Sequence, residues 1–258
     1  MKRVVDLVIR AVIVFALAYV GAAAVLRFVL YPGSPRPDIA HGGGAARDGT
    51  VRTNSLESIM LSNASGFEAI EIDISRTSDG RFVCGHDWQA FGNSAPDFET
   101  FLRDRDAIRH RPCVAKELIA WFQLHPGPDL YVDVKQDAVQ GSALFAAALG
   151  RRVIADAVTP EAVCALREAG VDRVAFSTYA RPSSWSGLKT DLQHPCVAQA
   201  EAISIPIERT LLGHAFLAKA LTGLPVYVHT ADGCFSTRVA WFFGADGVFT
   251  DAAAPDSC

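Results

Sequence analysis

Two carboxylates spaced two residues apart, Glu71-Ile-Asp73, lie between His41-Gly-Gly and Cys84-Gly-His86-Asp87. On a β-strand, residues i and i+2 share a face, so Glu71 and Asp73 point the same way. Two like charges aimed into a protein interior need a cation or a basic group between them. Tyr131-Val-Asp133-Val-Lys135 supplies a third carboxylate from a separate β-rich run. Three carboxylate oxygens, completed by water or ligand oxygens, suit a hard divalent ion, Mg²⁺ or Ca²⁺. The alternative is a salt-bridged cluster in which Lys135 and an arginine neutralise the acids. His41 and His86 add the one side chain whose unperturbed pKa lies near neutrality. A base on an attacking oxygen and an acid on a departing alkoxide are what hydrolysis of a phosphodiester requires. The expectation is therefore an acid/base pair, His41 and His86, beside metal ligands Glu71, Asp73 and Asp133.

These residues need elements to hold them. Nine short β-rich runs alternate with helical patterns: 38–41, 69–75, 81–86, 130–135, 151–155, 173–177, 202–207, 226–230 and 247–250. Alternation of this kind predicts parallel strands with crossover helices, here a (β/α)8 TIM barrel. Nine candidates for eight strands require one to be peripheral. His41, Glu71, Asp73, His86, Asp133, Lys135, His229 and Asp251 all fall at or near predicted strand ends, where the chemistry of such barrels sits. Thr159-Pro160-Glu161 predicts a capped helix start and Gly170 its end. Cys164 is placed on the apolar side of that helix and expected to be a buried free thiol. The long insertion 88–112, with Trp88, Phe91, Phe98 and Phe101, is expected to overhang the site as a lid or substrate-contacting loop.

Half of the 258 residues are apolar and the net charge is -4, which gives no electrostatic attraction to nucleic acid. Residues 1–31 read as a membrane anchor or signal peptide. The uncharged run Ala11–Leu26 is flanked by Arg10 and Arg27, and Ala22-Ala-Ala24 offers a cleavage site. Continuation of the apolar character to Tyr31 favours an uncleaved helix. Lys2, Arg3 and Arg10 ahead of it predict a cytoplasmic N-terminus and a barrel on the exported side. Residues 32–37 read as a stiff Pro/Gly linker and 38–258 as the barrel domain. Six cysteines suit an oxidising compartment without fixing any pairing, and none has zinc-site spacing.

Taken in order, His41-Gly-Gly, Thr53-Asn-Ser-Leu-Glu57, Glu71-Ile-Asp73, Thr77-Ser-Asp-Gly80, His86-Asp87, Asp133-Val-Lys135 and Gly244-Ala-Asp-Gly-Val-Phe-Thr-Asp251 resemble the pattern of the glycerophosphodiester phosphodiesterase family. The resemblance spans about residues 38–252. It implies a barrel related to phosphatidylinositol-specific phospholipases C, with His41 and His86 as acid and base. It also implies metal at Glu71, Asp73 and Asp133, and phosphate contacts from Lys135. Gly42 and Gly43 would let backbone approach the phosphate closely. The implied substrate is a small or lipid-derived phosphodiester.

Two positions depart from the family pattern. Gly42 stands where the family usually has a phosphate-binding arginine, leaving Arg47 and Arg52 as candidate replacements. Asp133 stands where glutamate is common, a feature shared with the sphingomyelinase D branch. The alternatives are therefore a phospholipase of that type or of the phospholipase C type, or a tethered barrel that binds without turnover. His229 replaces the family's usual late-strand tryptophan, as a pocket residue or a structural histidine. His41-Gly-Gly-Gly44 also looks like an esterase oxyanion loop, but no Gly-x-Ser-x-Gly elbow accompanies it.

Overall fold

A computed structural model describes residues 2–32, 37–181, 184–252 and 254. Most of the 32–37 linker, and Cys258, lie outside the described residues. All nine expected strands form: β1 (Ile39–Ala40), β2 (Ala69–Arg76), β3 (Phe82–Cys84), β4 (Asp129–Val134), β5 (Val153–Ala157), β6 (Arg173–Ser177), β7 (Ala202–Pro206), β8 (Val226–His229) and β9 (Gly247–Thr250). Eight of them pair in parallel in the order β1-β9-β8-β7-β6-β5-β4-β2, and β1 pairs with β2 to close the barrel. The peripheral candidate is β3, which runs antiparallel to β2.

The helices are α1 (Lys2–Val25), α2 (Leu56–Ala64), α3 (Phe98–Asp104), α4 (Ala115–Leu124), α5 (Ala138–Leu149), α6 (Pro160–Glu168), α7 (Trp185–Leu192), α8 (Ile207–Thr210), α9 (His214–Thr222) and α10 (Gly233–Phe242). α6 starts as its sequence dictates: the Thr159 hydroxyl accepts from Ala162 N–H, and Pro160 occupies the first turn, where no N–H is required. Its end is the expected glycine, with Gly170 at φ +87°.

Strand parity divides the residues into two sets. Ile70, Ile72, Ile74, Leu130, Val132, Val153, Ala155, Val174, Phe176 and Ile203 face outward into a core shared with the helices. Ile39, Tyr131, Ile154, Ala175, Ala202 and Phe249 face inward and pack together in the barrel lumen. Burying one Ile or Phe side chain contributes roughly 1.5–3 kcal/mol, so these two cores dominate the stability. Beyond this apolar layer, at the C-terminal ends of the strands, inward positions turn polar and line a cavity.

One expectation needs correction. Cys164 is not a free thiol; it is bonded to Cys196 across 5.2 Å between Cα atoms. Helical periodicity placed Cys164 correctly against neighbouring structure, but the partner comes from the segment after α7, which periodicity does not see. A second disulfide joins Cys84 to Cys113, and Cys234 is also disulfide-bonded. In the 88–112 insertion, Trp88, Phe91 and Phe98 pack around buried Phe101 together with Val83 and Val114. Its aromatic residues therefore form a small core of their own, and the insertion shares a cavity wall with Arg52, His86 and Asp87.

Candidate active site

The cavity at the C-terminal ends of the strands has a volume of about 450 Å³ and is lined by His41, Glu71, Asp73, His86, Asp133 and Lys135. Arg52, Tyr131, Asp156, Tyr179 and His229 complete much of its wall.

β2 and β4 supply the acids. Asp73 and Asp133 are paired in register across the two strands, which forces their inward side chains side by side. Ligand oxygens of Glu71, Asp73 and Asp133 all lie within 4.8 Å of one another. Lys135 stands beside two of them, its Nζ 2.7 Å from Asp73 Oδ1 and 2.6 Å from Asp133 Oδ2. Burial works against the Lys135 ammonium, but Asp133 and Asp73 outweigh it and raise its pKa. Glu71 has no such cation within bonding distance among the described contacts. Burial first, then the charges of Asp73 and Asp133, push its carboxyl well above the ordinary range; the Gly42 N–H, donating to Oε2 at 2.6 Å, pulls the other way. One lysine thus faces three clustered carboxylates. That surplus of negative charge on hard oxygen donors fits a divalent cation.

The histidines arrive by different routes. His41 opens a 3-10 turn directly after β1, and its Nδ1 donates to Asp251 Oδ1 at 2.9 Å. A carboxylate can only accept here, so Nδ1 carries a proton and Nε2 is the ring nitrogen left for proton exchange. Asp251 is held in turn by Arg52, at 2.8 Å to Nε. His86 reaches the cavity because β3 doubles back. After the turn at Thr77–Gly80 the chain descends along β2, and Gly85 N–H donates to Asp73 O at 2.9 Å. The Cys84–Cys113 disulfide fixes the chain two residues before His86. His86 is 65% exposed at the cavity mouth, while His41 is 22% exposed.

The glycines after His41 are required by close approach. Gly42 has φ +55°, and a Cβ there would sit 2.6 Å from the Arg52 Cα. Of the two candidate replacements for the missing arginine, Arg52 lines the cavity and Arg47 does not.

Several site residues had no assigned role from sequence. Asn54 clasps Asp73 twice: Nδ2 donates to Oδ2 at 3.0 Å, and Oδ1 accepts the Asp73 N–H at 2.9 Å. Asp156 projects from β5 and accepts the Tyr131 hydroxyl at 2.6 Å. Burial, then Asp133, raise the Asp156 pKa well above the carboxylate range. The inward parity of Asp156, two residues from lumen-facing Ile154, is the signal that could have found it. His229 also lines the cavity; burial, then His41, lower its pKa to about 4, so it is neutral at pH 7.

Fold and cavity together define a (β/α)8 barrel with an acid-rich, two-histidine pocket where the strands end. No protein-family model matches the sequence, and no curated protein sequence does. Solved structures do match in fold. A glycerophosphodiester phosphodiesterase from Parabacteroides distasonis superposes with TM-score 0.67 at 17% identity, over 85% of this chain and 94% of that one. The Thermotoga maritima glycerophosphodiester phosphodiesterase gives TM-score 0.64 at 14% identity, over 84% and 96%. An Oleispira antarctica phosphodiesterase, solved with its product sn-glycerol-3-phosphate, gives 0.63 at 16% identity, over 84% and 93%. This chain shares their barrel fold.

Proposed function

We propose that this protein is a metal-dependent phosphoric diester hydrolase acting on glycerophosphodiesters or related lipid-derived diesters. The observation that carries the reading is the meeting of Glu71, Asp73, Asp133, His41 and His86 on one cavity. Glu71, Asp73 and Asp133 would hold Mg²⁺ or Ca²⁺, which when bound supplies positive charge and Lewis acidity to a phosphate oxygen. His41, oriented by Asp251, takes the proton from an attacking water or neighbouring substrate hydroxyl at Nε2. As the phosphorus–oxygen bond to the leaving group breaks, His86 at the open mouth gives its proton to the departing alkoxide. The products are a phosphate monoester, or a cyclic phosphate when the substrate's own hydroxyl attacks, and an alcohol. Lys135 and Arg52 supply cationic charge for the phosphate, Lys135 after partial release from its two carboxylates. Gly42 and Gly43 leave backbone at the cavity edge open to the same phosphate.

Residues 1–31 serve as an anchor, 32–37 as a linker and 38–258 as the exported catalytic domain. The apolar helical stretch Val5–Leu30 is long enough to span a bilayer, and its leading charges favour a cytoplasmic N-terminus. The disulfides support an oxidising compartment for the barrel.

The test is hydrolysis of glycerophosphodiesters and lysophospholipids by the full chain in detergent, after chelation and with Mg²⁺ or Ca²⁺ restored. His41→Ala and His86→Ala should each lower kcat by about 10²–10⁴. Hydrolysis that survives chelation and both substitutions would remove the assignment.

A further inference from the structure

The N-terminal helix does not leave the barrel cleanly. From Val5 to Val20 every residue is exposed, yet Tyr19 already touches the barrel: its hydroxyl donates to the Leu211 carbonyl, and its ring stacks on Phe243 at 5.8 Å. Further along, Ala23 and Arg27 are buried. The Arg27 guanidinium lies 4.1 Å over the Trp241 ring and 3.8 Å from Asp246, and Phe28 meets Trp241 edge-on.

Length then becomes decisive. The stretch ahead of Tyr19 that begins at Val5 rises about 21 Å, at 1.5 Å per residue. That is roughly 9 Å short of a hydrocarbon core of about 30 Å. Counting only from Ala11, after the charges of Asp6 and Arg10, leaves about 12 Å before Tyr19. A helix that crosses the bilayer must therefore use Tyr19 and the turn after it, where the barrel is already in contact. The barrel surface at the level of Tyr19 is drawn to the membrane with it. That surface is apolar: Leu211 is 43% exposed, Leu212 55% and Trp185 53%. They are contiguous: a Cβ placed on Gly213, next to Leu212, would lie 3.5 Å from the Trp185 ring.

We propose that Leu211, Leu212 and Trp185 form a rim seated in the headgroup and upper acyl region of the same phospholipid bilayer that the helix crosses. This inference rests on the anchor reading above. The rim adjoins the cavity. Arg209, just before it, donates to the carbonyls of Tyr179 and Arg181, and Tyr179 lines the cavity with its ring edge-on to His229 at 5.9 Å. Seating the rim brings the cavity wall at Tyr179 close to the lipid surface, where a lipid-derived diester is concentrated.

The full chain carrying Leu212→Cys, labelled with a nitroxide and reconstituted in phosphatidylcholine vesicles, tests this. Leu144→Cys on α5 is the control, because Leu144 is similarly exposed, at 43%, on the side of the barrel built from β4 and β5. Collisional relaxation by oxygen relative to a water-soluble nickel chelate reports depth. The expected result is an oxygen-to-nickel ratio several-fold higher at position 212 than at 144. Equal ratios in a chain of full mass, still sedimenting with the vesicles, would overturn the rim while leaving the anchor in place. A chain whose mass shows cleavage near Ala22–Ala24 would overturn both.

Discussion

Replacing Glu71 by glutamine isolates the electrostatics on which the metal assignment depends. Glutamine keeps the shape and an oxygen to accept the Gly42 N–H at 2.6 Å, but removes one charge from the cluster. With ligand oxygens up to 4.8 Å apart, each carboxylate pair repels by about 3.5 kcal/mol at an effective dielectric of 20. Burial and its two acidic neighbours raise the Glu71 pKa, and a carboxyl that holds its proton to higher pH bears less of that repulsion. The recoverable part is then about 1–3 kcal/mol. In chelator at pH 7, Glu71→Gln should melt roughly 3–10 °C above the parent chain. The sign follows from linkage. The folded carboxyl holds its proton to a higher pH than the unfolded one. The parent therefore loses stability as pH rises past the ordinary carboxylate range, and the variant does not. Saturating Mg²⁺ or Ca²⁺ should reverse the ranking. A ligand at a hundred times its Kd adds about 2.7 kcal/mol to the parent, and little to a variant lacking one of three donors. Scanning fluorimetry in detergent, with and without metal, reads both effects. A variant that melts below the parent in chelator, or that keeps the full metal-induced shift, would refute the reasoning.

Removing the Cys84–Cys113 bridge by paired serine substitution frees a loop of sequence separation 29. The chain-entropy cost is roughly 3–4 kcal/mol, and because the bridge fixes the approach to His86, kcat should fall along with the midpoint of urea unfolding. Gly42→Ala places a methyl 2.6 Å from the Arg52 backbone at φ +55°; a loss of about 1–3 kcal/mol is expected, with a weaker metal-induced shift, since the Gly42 N–H is displaced from Glu71. His229 is neutral in the fold, with its pKa lowered to about 4 from 6.5. Acidification from pH 6.5 to 4 protonates it in the unfolded chain first, so the parent loses up to about 3 kcal/mol there that His229→Phe should not. Parallel stability-versus-pH curves for the two proteins would count against that assignment.

The residue order alone determined the barrel, its nine strands and the five acid and histidine positions. Each follows from local rules: period-two parity set Glu71 beside Asp73, and turn chemistry set the start and end of α6. What sequence could not decide was which distant residues face one another. Whether β3 joins the barrel depends on pairing, since an antiparallel return along β2 and a ninth parallel strand read alike locally. Its return is what lowers His86 to the level of Asp73. The same limit hid the Cys164–Cys196 bridge, the Asn54 clasp on Asp73, and the carboxylate of Asp251 behind His41. It also hid the helix lying against Leu211 and Phe243, whereas the salt bridges of Lys135 to Asp73 and Asp133 were one of the two readings the sequence offered. Periodicity tells which way a side chain points; only closure of the eight-stranded ring, bringing β1 beside β9 and β2 beside β4, decides what it meets.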